Sequence, residues 1–346
     1  NAKDFLDKLF FDKRRFYLGK VGRYQMNKKF GIETPITTDD YLLKTSDIVN
    51  IIKALVQLNQ GTIPVDDVDS LANRRIRGVG ELVGERLRVG ILRMEKNIRD
   101  RMSTYSTEDL VIPSVIVNTK PIIAAMNQFF GSSAVSRYMD QENVLSELET
   151  KRRITAGGPK GLTKERATFS VRDVHSSHYG KLCPVATPEG PSIGIVSQMA
   201  IYARLNDYGF LETPYFKVLS NVNLSEVTPK MLLDRVLRED AKDEKGKVVV
   251  KSGTKLGKAE LDKIQKANLE SIKVQPYVTN EVVYLPSDTE LKYKIGPAAV
   301  EKDEKGHIVE PAVFVRFQGN YLKIPCTELD FIDINPGQIA GLGLSL

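Results

Sequence analysis

A chain of 346 residues, 41% hydrophobic and 27% charged, can bury a sizeable core, is neither disordered nor fibrous, and has room for two or three domains. No stretch is apolar for long enough to cross a bilayer, the first residues lack a secretion-signal layout, and two cysteines, Cys183 and Cys326, cannot build a disulfide framework. A soluble, intracellular protein with reduced thiols is expected, and the formal net charge of +6 favours a polyanionic partner without identifying one.

Over residues 45–58, Ile48, Ile51, Ile52, Leu55 and Val56 recur at helical spacing behind Ser46 and Asp47, which can cap the start. Asn59-Gln60-Gly61 and the acidic Asp66, Asp67 and Asp69 predict a loop. A longer helix follows over 77–102, with Val79, Leu82, Leu87, Ile91 and Met94 in its apolar stripe and arginines crowding the other face. A third helix covers 120–130, with Gly131 as its stop. From 155 to 191, Gly157-Gly158-Pro159, Gly161, Gly180, Pro184, Pro188, Gly190 and Pro191 exclude long regular elements, so a loop-rich segment is predicted where function tends to concentrate. Beyond Tyr215, the runs Val248-Val249-Val250, Val282-Val283-Tyr284 and Val313-Phe314-Val315 predict strands, interrupted by helices over 228–239 and 258–268. Lys-Asp-Glu-Lys-Gly occurs at 242–246 and again at 302–306, and differing flanks favour two hairpin turns over a structural repeat. The fold class expected is α+β, in several segments.

Lys151, Arg152, Arg153, Lys160, Lys164, Arg166 and Arg172 crowd one short segment, and such a cluster can neutralise phosphates if the side chains converge. Charge alone suits a solvated face equally well. The interleaved glycines favour a backbone that approaches a ligand closely. Residues 157–164 lack the order of an NTPase phosphate loop. His175, His178 and Cys183 lack a fourth ligand and a zinc spacing, so structural histidines and no metal are expected. Asp66, Asp67 and Asp69 are the best carboxylates for a two-metal site, and a loop approaching a helix explains them as well. No catalytic constellation emerges.

One stretch is far more specific. Phe129-Phe130-Gly131-Ser132-Ser133, Tyr138-Met139-Asp140-Gln141, Lys151-Arg152-Arg153, Gly161-Leu162-Thr163, Glu165-Arg166-Ala167 and Val171-Arg172-Asp173-Val174-His175 are similar, nearly residue for residue, to the rifamycin-binding and fork-loop region of bacterial-type RNA polymerase beta subunits. His178-Tyr179-Gly180, Thr187-Pro188-Glu189-Gly190-Pro191 and Gly209-Phe210-Leu211-Glu212-Thr213-Pro214-Tyr215 continue the resemblance, and upstream so do Val21-Gly22-Arg23-Tyr24 and Asn73-Arg74-Arg75-Ile76-Arg77. It covers residues 10 to about 218 and resumes over 329–346.

The resemblance implies a piece of a DNA-directed RNA polymerase, a nucleotidyltransferase, lining the RNA:DNA hybrid and the downstream fork, with the isolated piece inactive. Asn1 in place of an initiator Met, and an end at Gly341-Leu342-Gly343-Leu344 without a polar tail, fit cuts at both termini. The implied divisions are a mainly helical lobe and protrusion segment over 1–118, the fork and hybrid-lining region over 119–205, and an external domain over 206–330. An insertion occupies 224–279, and 331–346 begin the next hybrid-binding domain. The RNA path and rifamycin pocket would involve Val135, Arg137, Asp140, Thr150, Arg153 and Thr155, together with Gly157, Lys164, Pro188, Glu189 and Ser192. Lys160, Arg166 and Phe169 would belong to the fork loop, a wedge where strands separate, and Val68, Asp69 and Arg74 to a pocket for a nontemplate guanine. The implied partners are the beta-prime and alpha subunits, sigma factor, template DNA and nascent RNA, with no membrane. Magnesium would be held by beta-prime, and this chain would bind no cofactor. The implied location is the cytoplasm at the nucleoid, or a plastid. The rival reading is a stand-alone nucleic-acid or transcription-factor binding module.

Arg137 and Thr150 stand where the family pattern usually has Gln and His, Gly157 where it has Leu, and Ala186 where it has Glu. An obligately charged guanidinium must be desolvated under a bulky apolar ligand, Thr150 lacks imidazole reach, and Gly157 removes an apolar wall. At about 1.4 kcal/mol for each of these changes, rifamycin affinity falls roughly a thousandfold. The assembled enzyme is therefore expected to resist rifampicin, and Arg137→Gln, Thr150→His and Gly157→Leu together to restore inhibition; tight inhibition of the natural sequence would refute this.

Overall fold

The helical spacing of the N-terminal part folds as expected and is extended by helices that the apolar pattern does not announce. The computed structural model describes residues 2–13, 15–32, 36–105, 112–163, 166–224, 227, 229–242, 247–267 and 269–344, with side chains 38, 39, 229 and 230 left aside. Helices α1 (Ala2–Phe10), α2 (Gly19–Phe30), α3 (Thr45–Asn59) and α4 (Val79–Met102) are followed by the single turn α5 (Pro113–Ile116), then α6 (Lys120–Ser132) and α7 (Val144–Lys151). Helix α2 stops at Gly31, whose φ of 64° lets its amide cap the carbonyls of Asn27 and Lys28. Asn143 caps α7, accepting from the Ser146 amide at 2.8 Å. Helix α6 runs through Gly131 instead of stopping there.

Helices α2 and α3 are joined by a buried ion pair. The Arg23 guanidinium donates to both Asp47 oxygens at 2.9 and 2.8 Å and also reaches the carbonyls of Asp40 and Leu42. Helix α4 crosses α6 at Gly90, where an added Cβ would lie 2.9 Å from the Ile122 Cα and 3.4 Å from the Ala125 Cβ. Ala125 and Phe129 are the buried residues of α6.

Strand β1 (Arg153–Thr155) pairs antiparallel with β2 (Val196–Gln198), and the chain between them is irregular except for the turn α8 (Phe169–Arg172) and two 3-10 turns. A larger sheet is built from β3 (Arg204–Leu205), β4 (Leu211–Asn223), β7 (Ser271–Pro286), β8 (Ile295–Gly296), β9 (Ala312–Phe317), β10 (Asn320–Pro325) and β11 (Phe331–Asp333). Its order is β10-β9-β8-β11-β4-β3, with β7 also on β4; β8 and β11 are parallel and the other pairs antiparallel. The runs 282–284 and 313–315 are thus parts of β7 and β9. Tyr215, Leu285, Ile295 and Phe331 form one core of this sheet, and Val218, Val313, Val315, Leu329 and Ile332 another. The turn α10 (Ser287–Glu290) follows β7.

Residues 222–277 make a small unit around Leu232, Leu237, Leu256, Ile264 and Val274, with β5 (Ala241–Lys242) paired to β6 (Val248–Val250) and with α9 (Lys258–Lys266). The helix expected over 228–239 is not formed. Among the described residues of that span the one helical element is a 3-10 turn at Pro229–Leu232, and Asp234 takes a positive φ of 66° that an α-helix cannot contain. Residues 234–238 pair instead with distant chain: Leu237 donates to the Thr254 carbonyl at 3.1 Å and Arg238 to that of Lys273 at 2.9 Å. Leu232 and Leu237 are both buried in this arrangement. The first Lys-Asp-Glu-Lys-Gly copy falls mostly on residues 243–246, outside the described residues, while the second turns tightly, Gly306 donating to Asp303 at 2.9 Å.

Gly90→Ala is expected to destabilise the protein by about 1–3 kcal/mol, because a methyl at 2.9 Å from backbone forces α4 and α6 apart. Urea denaturation would check it, and an unchanged midpoint would show that the crossing relaxes freely.

Candidate nucleic-acid interface

The irregular segment between β1 and β2 is held by side chains from the large sheet. Asp333 on β11 is 2% exposed and accepts two bonds from Arg316 on β9, at 2.9 and 2.8 Å. It also accepts one bond from the Tyr179 hydroxyl at 2.8 Å and one from the Gln338 amide at 3.0 Å. The Arg316 guanidinium lies 3.5 Å from the Tyr179 ring centre. Burial, the largest influence, pushes the Tyr179 hydroxyl upward, so it stays a proton donor to Asp333. Two residues on, the fully buried Lys181 pairs with Glu290 of α10. Gly180 takes φ 64°, and its carbonyl accepts from the Thr213 hydroxyl at 2.6 Å.

The structure brings Val68, Asp69 and Arg74 together. Arg74 donates through Nε to the Val68 carbonyl at 2.9 Å and through Nη2 to Asp69 at 2.7 Å. This loop is joined to the 175–178 turn: His175 Nε2 lies 2.7 Å from Asp67, and the Ser177 hydroxyl contacts His175 Nδ1 at 2.7 Å while accepting from the Leu71 amide at 3.0 Å. The Asp69 amide, then the His175 ring, hold the Asp67 carboxyl below its usual range. Asp66, Asp67 and Asp69 therefore each face a different cationic or imidazole partner, Lys29, His175 and Arg74. Among the described residues no three His, Cys, Asp or Glu side chains gather as a metal site. Cys183 is a buried free thiol that accepts from the Ala186 amide at 3.4 Å, and Cys326 is half-buried and free.

The basic segment does not converge as one cluster. Arg152 turns inward and donates to the carbonyls of Ala200, Ile201 and Ala203, while Arg172 donates to those of Pro191 and Ile193 at 2.8 Å each. Lys151 pairs with Glu147 at 2.6 Å along α7. Lys160, at φ 61°, pairs with Glu85 of α4 at 2.8 Å, and Arg77 reaches both Glu85 and the Pro159 carbonyl. Glu85 thus latches the glycine loop to α4, and the bonded Lys160 ammonium holds its carboxyl below the usual range. Sequence reasoning missed this latch, since the partners are 75 residues apart and no local pattern links them. Lys164 lies outside the described residues. Arg153 and the exposed Arg166 have no side-chain hydrogen bond or ion pair among the described residues, nor does the exposed Arg137.

Val135 packs against the loop, for a Cβ on Gly158 (φ 116°) would meet its Cγ1 at 2.6 Å. Thr155 accepts from the Gly157 amide at 3.1 Å. Pro188 and Glu189 are exposed at the turn Gly190–Ser192, which Arg172 ties to α8. Phe169 at the start of α8 is 88% exposed. Asp140 is exposed and accepts from the Glu142 amide at 3.2 Å; the Thr150 side chain, like that of Arg137, is bonded to none of the other candidates.

Three family profiles match this chain: "RNA polymerase Rpb2, domain 2" over residues 1–77, "RNA polymerase Rpb2, domain 3" over 137–205, and "RNA polymerase beta subunit external 1 domain" over 271–335. The DNA-directed RNA polymerase subunit beta of Dehalococcoides mccartyi is 42% identical over 346 residues, covering 100% of this chain and 27% of that protein. Those of Koribacter versatilis (41%, covering 98% of this chain and 22% of that protein) and Brucella suis (39%, 100% and 21%) match similarly. The chain belongs to the DNA-directed RNA polymerase beta-subunit family. It spans about a quarter of the length of these beta subunits. The match to the Dehalococcoides beta subunit extends over all of this chain, so residues 224–279 lie within it, although the profiles leave 206–270 unmatched. The latch of Glu85 with Lys160 joins a helix between two beta-subunit profiles to a loop inside one of them. No helix of the described residues is long and apolar enough to cross a membrane.

His178 is half-buried and its Nδ1 accepts from the His175 amide at 3.3 Å. Burial, ahead of the charges of His175, Arg74 and Lys181, lowers its pKa to about 4. The unfolded chain, with an ordinary His value of about 6.5, then binds more protons than the folded one between the two values. Stability is therefore full above pH 6.5 and falls as the pH drops from 6.5 towards 4. His178→Asn is expected to remove roughly 1 kcal/mol of that loss, discounted for partial exposure. Urea titrations at several pH values would show it; parallel pH profiles for the two proteins would refute it.

Proposed function

We propose that this chain works inside a DNA-directed RNA polymerase as the part of the beta subunit that lines the RNA:DNA hybrid and the downstream fork. The observation that carries this reading is the division of labour among the basic residues: Lys160, Arg152 and Arg172 are tied to the fold, and Arg153, Arg166 and, upstream, Arg137 have no side-chain hydrogen bond or ion pair among the described residues. A translocating hybrid must be held through its phosphates and shape, because contacts to base edges would stall it at particular sequences. Unpaired guanidiniums beside a loop latched to α4 meet that requirement, and the exposed Phe169 ring suits a wedge between separating strands.

On this reading the substrates are nucleoside triphosphates and template DNA. Magnesium would be supplied through the beta-prime subunit, and assembly would be with beta-prime, alpha and sigma, at the nucleoid in the cytoplasm. Val68, Asp69 and Arg74 would receive a nontemplate base, and Val135, Arg137, Asp140, Thr150, Arg153, Thr155, Gly157, Pro188, Glu189 and Ser192 would flank the RNA path, with Lys164 beside them. This chain's own share of the chemistry is to hold and orient nucleic acid, so the purified chain is expected to make no template-dependent RNA.

The test is anisotropy of a labelled RNA:DNA hybrid on the purified chain across a salt series. Binding should weaken steeply with salt, and Arg153→Ala with Arg166→Ala should flatten the log–log slope by up to about 2, near one unit for each lost phosphate contact. Lys160→Ala should change the slope less, because Glu85 already neutralises that ammonium. A slope unchanged in the double variant would overturn the assignment of these arginines to phosphates.

A further inference from the structure

Lys160 carries a side chain where the glycine loop takes a left-handed backbone. Its φ of 61° disfavours any residue with a Cβ, and it lies in the turn that the Gly161 amide closes on the Gly158 carbonyl at 2.9 Å. Its ammonium meets one oxygen of Glu85 on α4 at 2.8 Å. The Arg77 guanidinium approaches the other oxygen at 3.3 Å and also donates to the Pro159 carbonyl. Two cations from distant parts of the chain thus converge on one carboxylate, each on its own oxygen, as cations do around a phosphate. The group is open to solvent, with the Lys160 side chain 73% exposed and that of Glu85 40%. Exposed ion pairs are weakly held, so another anion can take the place of this carboxylate at small cost. The Arg77 bond to the Pro159 carbonyl does not involve Glu85, and it keeps loop and α4 joined during such an exchange.

We propose that Lys160 and Arg77 form a masked phosphate site, that Glu85 is its internal occupant, and that a polynucleotide phosphate displaces the Glu85 carboxylate. Glu85 is then an autoinhibitory contact that covers two cations while no polyanion is bound. A phosphodiester carries the same single charge as the carboxylate, so the exchange is nearly balanced, and the other phosphates of the strand tip it. The freed Glu85 takes up a counterion as the phosphate gives one up, so the exchange adds little to the salt dependence of the native chain. The inference rests on the reading that this loop meets nucleic acid, and adds to it how the loop's charge is held back.

The test is anisotropy of a labelled RNA:DNA hybrid across a salt series on the whole chain, as native protein, Glu85→Gln, Lys160→Ala and the double variant, repeated with inorganic polyphosphate as competitor. Glu85→Gln is expected to tighten binding roughly three- to tenfold at low salt and to steepen the log–log slope by about one, as Lys160 gains a phosphate. Lys160→Ala is expected to change little in the native background and to remove most of the gain in the Glu85→Gln background. Glu95→Gln is the charge control, since it frees Arg99 nearly three turns further along α4. A gain that survives Lys160→Ala, or that Glu95→Gln equals, reflects net charge alone and overturns the proposal. Unchanged or weaker binding of both probes by a Glu85→Gln chain that circular dichroism shows to be folded overturns it too. Should Glu85→Gln fail to fold, Glu85→Asp, whose carboxylate is one methylene shorter, decides by the same Lys160-dependent gain. If polyphosphate shows that gain while hybrid binding is absent or indifferent to Arg153 and Arg166, the masked site stands and the hybrid-lining reading falls. If the Arg153 and Arg166 variant flattens the slope and no Lys160-dependent gain is seen, the reverse holds.

Discussion

A single buried carboxylate positions most of what surrounds the candidate interface. Asp333 receives Arg316, Tyr179 and Gln338 at once, and thereby fastens the irregular chain around residue 179 to a rigid sheet. Loop backbone of this kind has few ladder hydrogen bonds of its own, so its geometry must come from side-chain anchors. Desolvating an aspartate is costly, and here four charge-assisted or polar donors offset that cost. Lys181 with Glu290 repeats the device two residues later, and the His175 and Ser177 contacts extend the fixed region to the 67–74 loop.

Charge in this protein is divided between fastening and display. The formal net charge of +6 says little by itself, because many of the cations are consumed inside the fold. Arg23 closes on Asp47, Arg152 on three carbonyls, Arg172 on two, and Lys160 on Glu85. Among the described residues, Arg137, Arg153 and Arg166 belong to the cations that have no such bond. Guanidiniums suit both tasks, since the planar fork satisfies carbonyls and carboxylates inside and phosphates outside.

The unit over 222–277 illustrates how non-local pairing overrides local pattern. Met231, Leu232, Leu233, Val236 and Leu237 have helix-compatible spacing, yet the chain there lies between residues 253–256 and 273–275 and gives its amides to their carbonyls. The pairing wins because it also satisfies the backbone of two neighbouring segments.

The sequence by itself determined the long helices, the loop character of residues 155–191, the α+β class and the family, because helical periodicity, Gly and Pro punctuation and long motifs are all local signals. It could group Val68, Asp69 and Arg74, which are close in the chain and do meet. Only the tertiary structure decided that Arg152 and Arg172 turn inward to backbone carbonyls, that Glu85 latches the glycine loop, and that Asp333 anchors the chain around residue 179. Those facts depend on contacts between residues tens to more than a hundred positions apart, and the pairing of a given cation with a given carboxylate across such distances is set by packing, which no local pattern encodes.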